Sequence, residues 1–320
     1  MMLDGHQDAW AQWHAAMAGP RMHHGWILAG QRGIGKASFA MAAARELVAE
    51  PGVPQPPGEH PDVIVLSHLP ASKDDEKKRD DGKPFALKRS ISVDQIRAMQ
   101  LRLHTRPTLG ARRVIIIDPA DDLEKGAANA LLKSLEEPPV GTHFMLVAHR
   151  PGRLLATIRS RCRLLRFARI EDGAIDAILQ REVPSADSAT RAAAIMAAGG
   201  SPGAALDFVE LDLKVLHRLM QDIAVRGDPG FILRGRLAEA MGARPDRRKQ
   251  MAAVELARAI AAGALQDISA ASIPGVVETH AELARLTAEV PTANFDAGLL
   301  VLEIGTLLTR LAASREPAHG

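Results

Sequence analysis

Apolar and polar positions follow two regimes along this chain. In the first half, short unbroken apolar runs are separated by segments of helical spacing. Residues 26–30 (WILAG) form an apolar run ending on glycine and predict a buried strand. A helix is predicted to follow over 36–48. Residues 62–66 (DVIVL), bounded by Pro61, predict a second strand, and 114–117 (VIII) a third. The third is β-branched and wholly apolar, as a central parallel strand covered on both faces requires. Residues 144–148 (FMLVA) and 162–167 (CRLLRF) predict a fourth and a fifth. Ser92 with Gln95 three positions on has the spacing of a capping box and opens another helix. A further helix over 129–137 is stopped by Pro138-Pro139. This alternation predicts a parallel sheet with helices on both faces.

Residues 51–61 (PGVPQPPGEHP) are too rich in proline for helix or central strand and predict a surface loop. The mixed-charge run 73–83 (KDDEKKRDDGK) is expected to be a solvated mobile loop. After about residue 169 the strands stop and alanine-rich helical segments take over, broken at Gly199-Gly200-Ser201-Pro202-Gly203. The last, 294–311, is an amphipathic helix with Asn294 as its expected N-cap. Leu300, Ile304, Leu307 and Leu311 form its apolar stripe, which packs either internally or against another chain. The fold class expected is α/β plus α, with an α/β domain over 1–168, a small helical domain over 169–207 and a C-terminal helical domain over 208–320.

Composition narrows the function classes. Forty Lys and Arg against 38 Asp and Glu leave a net charge of +2, so global charge gives no case for a nucleic-acid or membrane binder. Ten aromatic residues, none of them Tyr, are too few for a base-stacking platform. A single cysteine, Cys162, excludes an internal disulfide and a multi-cysteine zinc site and fits a reducing compartment. The start, MMLDGHQDAW, has no cationic segment followed by an apolar run. A cytoplasmic location and no membrane partner are therefore expected.

The chemistry concentrates at Gly30-Gln-Arg-Gly33-Ile-Gly35-Lys36, between a predicted strand and a predicted helix. That is the context of a phosphate-binding loop: glycines let backbone N–H groups converge on phosphate oxygens, and the lysine adds a point charge. Two parts are absent. Ala37 stands where a serine or threonine would hold magnesium, and Ser38 is one helical step of 100° away. Asp118 ends the third strand where an acid can approach the metal, but Pro119 follows it in place of a residue able to orient water. Asp118 is thus either a relic magnesium contact or a plain strand-end acid.

Asn129-Ala-Leu-Leu-Lys-Ser-Leu-Glu-Glu-Pro-Pro139 resembles the signature of clamp-loader subunits of bacterial DNA polymerase III, in the AAA+ class, and Ser160-Arg161-Cys162 resembles their Ser-Arg-Cys motif. The order also agrees: phosphate loop, acid strand, signature helix, strand, then the arginine motif. The resemblance covers about residues 20–207. It implies a small helical lid after the α/β domain and a C-terminal helical collar. It also implies a five-member hetero-oligomeric ring with gamma/tau-like and delta-like partners that places a sliding clamp on primed DNA. Within the family there are ATP-hydrolysing motor subunits and a non-hydrolysing one. Ala37 and Pro119 favour the latter, as do Ala148 and Pro202, which stand where motor subunits carry a polar sensor and an arginine. The implied role of Arg161 is that of an arginine finger completing a neighbour's ATP site; the plainer reading is one of three arginines, with Arg159 and Arg163, flanking a strand. The chain's own Gly30, Gly33, Gly35, Lys36 and Asp118 would then form a degenerate nucleotide site, with no cofactor required and ATP and magnesium held weakly if at all. No zinc is expected, because the four-cysteine module of many relatives is replaced by the cysteine-free loop 51–61. A motor-type subunit is the main alternative; a P-loop phosphotransferase and a purely structural adaptor are more distant. Cys162 reads as a packing residue rather than a nucleophile. Arg97, Arg102 and Arg106 offer basic groups for DNA or simply a solvated face.

Overall fold

The computed structural model describes residues 5–83, 85–265, 269–290 and 295–313. The chain divides into two compact units, residues 1–169 and 170–320. The first contains α1 (Gln7–Ala18), β1 (Gly25–Ala29), α2 (Lys36–Val48), β2 (Val63–Leu66), α3 (Lys73–Asp80), α4 (Val93–Leu103), β3 (Arg113–Ile117), α5 (Lys125–Glu136), β4 (Thr142–Ala148), α6 (Ala156–Arg159) and β5 (Arg163–Arg166). All five strands predicted from the apolar runs are present, shifted by one or two residues at their ends.

The sheet order is β2-β3-β4-β1-β5, with every pairing parallel. Ile27 of β1 lies opposite Leu146 of β4 and Leu164 of β5, and Ile115 of β3 lies opposite Phe144 and Ile64. Every residue of β1, β3 and β4 is buried, which is why these strands read as unbroken apolar runs. On one face, Ile96 and Met99 of α4 and Leu131 and Leu135 of α5 pack on Ile27, Ile115 and Phe144. Elsewhere, an aromatic group joins Trp13 of α1, Trp26 of β1 and Phe39 of α2: the Trp13 and Trp26 rings lie 5.4 Å apart and Trp10 and Phe39 4.4 Å apart. Each such side chain, fully buried, contributes about 1.5–3 kcal/mol.

The capping box forms: Gln95 Oε1 accepts from the Ser92 N–H at 3.1 Å at the start of α4. The charged run expected as a loop is instead helix α3. Ser72 caps it, its hydroxyl accepting from the Asp75 N–H at 3.2 Å. Asp74, Asp75 and Glu76 occupy the first turn and Lys77, Lys78 and Arg79 the last. Acid-before-base order complements the helix dipole, so a segment with no apolar face still folds. Asp75 also anchors it, accepting from the Ala86 N–H at 3.1 Å. Residues 51–61 carry no helix or strand, as expected.

The second unit holds α7 (Asp172–Glu182), α8 (Ser188–Ala198), α9 (Pro202–Glu210), α10 (Lys214–Arg226), α11 (Ile232–Met241), α12 (Arg247–Ala264), α13 (Ile273–Glu289) and α14 (Ala297–Ala313). The apolar stripe Leu300, Ile304, Leu307 and Leu311 of α14 is buried within this unit, against α10, α11, α12 and α13. The expected cap Asn294 lies outside the described residues. No described helix is long and apolar enough to cross a membrane.

Candidate functional site

The phosphate loop leaves the carboxyl end of β1. Its first residue, Gly30, donates its N–H to Ala148 O at 3.2 Å, which ties the loop to the end of β4. A Cβ at position 30 would meet Phe167 O at 2.9 Å, so only glycine fits that close approach. Gly33 and Gly35 adopt φ of +73° and +99°, the left-handed region that opens a run of N–H groups towards the start of α2. Lys36 is the first residue of that helix and is 3% exposed. Its Nζ donates to Gly30 O at 2.7 Å and Gln31 O at 2.6 Å. Two of its three donors are thus spent on the loop itself. Burial pulls Lys36 down to about 8, against the opposing pull of the Asp118 and Asp121 carboxylates.

Asp118 sits just past β3, its N–H bonded to Leu66 O at 2.9 Å. Burial raises its carboxyl above the ordinary range, with Lys36 and Arg32 working the other way. Ala37 and Ser38 are both exposed on the first turn of α2. Ala148, where a polar sensor would stand, is fully buried at the end of β4.

Four residues that sequence reasoning passed over complete this end of the sheet. Asp121 accepts from the His149 N–H at 2.5 Å and the Arg150 N–H at 3.2 Å, pinning the segment after β3 to the loop after β4. Asp122 pairs with His68, after β2, at 3.3 Å. His149 is half-buried and its ring is pulled down to about 3, first by burial and then by Lys36 and Arg32. The loops following β1, β2, β3 and β4 are thus fastened together at the carboxyl ends of the strands, where parallel α/β sheets place their ligands. The sequence signal was the pair Asp121-Asp122 soon after a strand-end acid, but its partners are 28 and 54 positions away.

Arg161 occupies a different place, between α6 and β5. Its Nη2 pairs with Glu136 Oε1 at 2.8 Å, and its Nη1 donates to Thr157 O at 3.0 Å and Ser160 Oγ at 3.3 Å. The side chain remains 36% exposed. The phosphate loop, Lys36 and Asp118 are brought together; Arg161 is not joined to them by any of these contacts. Cys162 beside it is half-buried against the sheet core, and burial pushes its thiol up to about 12, so it is a packing residue rather than a nucleophile. In the second unit, Ser201 is fully buried and caps α9, with Pro202 in its first turn. Arg97 pairs with Asp94 at 3.4 Å, Arg102 donates to Pro61 O at 3.1 Å, and the Arg106 carbonyl accepts from Arg113 Nη2 at 2.9 Å.

Residues 5–171 match the family described as DNA polymerase III, delta subunit. The chain belongs to this family. It is 34% identical over 208 residues to DNA polymerase III subunit delta' of Escherichia coli, covering 60% of this chain and 56% of that protein. To the subunit delta' of Pseudomonas aeruginosa it is 35% identical over 169 residues, 49% of this chain and 45% of that one. Subunit tau of Escherichia coli is 30% identical over 154 residues, 44% of this chain and 21% of tau. The chain spans about half the length of the curated delta' relatives it matches. Among solved structures it is similar to a DNA polymerase III gamma subunit-related protein of Thermotoga maritima, at 18% identity and TM-score 0.47, over 96% of this chain and 99% of that one.

In this member of the family, four positions of the signature 129–139 have a structural reason. Leu131 and Leu135 enter the core, and Ser134 accepts from Gln100 Nε2 at 3.0 Å. Leu135 O meets His24 Nε2 at 2.9 Å, and Glu136 holds Arg161.

Proposed function

We propose that this chain is a delta'-type clamp-loader subunit of DNA polymerase III that hydrolyses no nucleotide itself and supplies Arg161 to the ATP site of a neighbour. In this reading it works in the cytoplasm, in a five-member ring with gamma/tau-like and delta-like subunits, and helps place the sliding clamp on primed DNA. The helices over 169–207 would be the lid and those over 208–320 the collar. The relatives named delta' support it. The observation that carries it is a contrast: Ala37 follows the loop lysine and Pro119 follows the strand-end acid, while the Arg161 guanidinium stands partly open on another element. The loop's donor set also does not fit a catalytic magnesium ion. Position 37 has no hydroxyl, position 119 has no polar side chain, and the half-buried Asp118 carboxyl lies within the electrostatic reach of Lys36. No hydrolytic step through this loop follows from those residues.

A guanidinium is planar and permanently charged, so in trans it can meet two oxygens of a departing phosphate with parallel N–H donors. Fingers of this kind are worth about 10³–10⁵ in rate. The test assembles the complex so that only the neighbour facing this chain keeps an intact phosphate loop. Arg161→Ala is expected to collapse DNA- and clamp-stimulated turnover while assembly persists. Unchanged turnover would reduce the chain to an adaptor. The motor-type reading is kept because Lys36 and Asp118 are present and tau and gamma subunits are also relatives. Magnesium-dependent ATP turnover by the isolated chain, abolished by Lys36→Ala, would establish it instead.

A further inference from the structure

Three arginines, Arg159 at the end of α6, Arg161 after it and Arg163 at the start of β5, lie in one short stretch, and their surroundings differ. The Arg159 N–H donates to Leu155 O at 3.1 Å, and its guanidinium makes no hydrogen bond or ion pair among the described residues. Arg163 lies over the Trp26 ring, 5.3 Å from its centroid. Only Arg161 of the three meets a carboxylate, Glu136, among the described residues.

Glu136 is the last residue of α5. A carboxylate at a helix C-terminus lies against the negative end of the dipole, a placement that is unfavourable unless a cation answers it. Arg161 answers it. Both ends of the pair stand on fixed supports: Leu135 beside Glu136 is 1% exposed, and Ile158, one turn before Arg161, is fully buried. With Glu136 on Nη2 and Thr157 O and Ser160 Oγ on Nη1, three acceptors from two elements fix the guanidinium. Nε makes no hydrogen bond or ion pair among the described residues, and Nη2 meets Glu136 as an ion pair, so N–H groups remain for an incoming anion.

We infer that Glu136 is a positioning residue for Arg161: its carboxylate holds the guanidinium in the attitude in which its remaining N–H groups meet the neighbour's phosphate. This rests on the reading of Arg161 as a trans-acting finger. Without the pair, Arg161 keeps its charge but samples several rotamers, and the fraction aligned for the transition state falls. The loss belongs to the chemical step. The pair is partly open to solvent, with the two side chains 36% and 47% exposed, so the loss is set by a partly screened ion pair rather than by removal of the finger.

The test uses the same complex with a single intact neighbouring ATP site. Glu136→Ala is expected to lower stimulated kcat by about 2- to 5-fold with KM little changed, and Glu136→Gln, which keeps an oxygen acceptor, to restore part of it. In an Arg161→Ala background, Glu136→Ala is expected to change nothing further. Collapse with Arg161→Ala but no effect of Glu136→Ala would overturn the positioning role and leave the finger standing. No effect of Arg161→Ala would sink the finger and the positioning role together. A loss on Glu136→Ala that persists undiminished in the Arg161→Ala background, accompanied by impaired assembly, would mark position 136 as structural and also overturn the inference.

Discussion

Replacing Lys36 with methionine should stabilise the folded chain. Lys36 is 3% exposed, and its ammonium is pulled from an ordinary value of 10.5 to about 8, chiefly by burial. At about 1.4 kcal/mol per pH unit, holding that charge costs folding roughly 3 kcal/mol at neutral pH. The substitution also forfeits the hydrogen bonds to Gly30 O and Gln31 O, each worth about 1 kcal/mol. The net expectation is a gain of about 1–2 kcal/mol at pH 7. Its pH dependence has a fixed sign. Below about pH 8 the lysine is charged in both the folded and unfolded chain, so the full cost is present. Between about 8 and 10.5 the unfolded chain binds the extra proton, so wild-type stability rises relative to the variant and the gap closes. Equilibrium urea unfolding of both proteins from pH 7 to 10 measures this, and groups common to the two cancel in the difference. A variant no more stable than wild type at pH 7, or a gap that does not narrow by pH 10, would refute the account of Lys36 as a buried charge facing its own loop. The same substitution removes the cation that opposes the burial shift of Asp118, so that carboxyl should titrate higher still in the variant.

In the helical unit, Asp228 and Arg234 are 5% and 7% exposed and joined at 3.1 Å, and Asp228→Ala should cost about 3–5 kcal/mol because it strands a buried guanidinium; denaturant midpoints give the value. Burial alone would raise the Asp228 carboxyl, but the Arg234 and Leu233 N–H donors and the guanidinium outweigh it and lower it, so its contribution is present above the ordinary carboxylate value of 3.8 and is lost as pH falls through the lower folded value. A stability difference between wild type and variant that is the same at pH 7 and pH 2 would contradict this. Ser72→Ala should loosen α3 by about 1 kcal/mol through its lost cap, seen as faster amide exchange over 73–80 without a matching loss elsewhere. The Cys162 thiol, pushed up to about 12, should alkylate far more slowly at pH 8 in the native protein than in denaturant; equal rates would show that it is not held among the core residues.

Much of the fold was legible because its signals are local. Unbroken apolar runs mark strands buried on both faces, and 114–117 needed no tertiary information to be placed as a central one. The phosphate loop was legible because its glycines answer backbone constraints within seven residues. Helix α3 was misread as a loop because hydrophobic periodicity, the main signal, is absent there; capping and charge order decided it. Beyond the reach of any local pattern were the pairings that the sheet creates. Asp121 meets the His149 and Arg150 amides, Asp122 meets His68, and Glu136 meets Arg161 only because parallel strands bring distant loops to one edge or set two helices side by side. The sequence alone determined which groups the chain possesses. The tertiary structure decided what each charge faces, since Coulomb and desolvation energies depend on distance and burial and not on position along the chain.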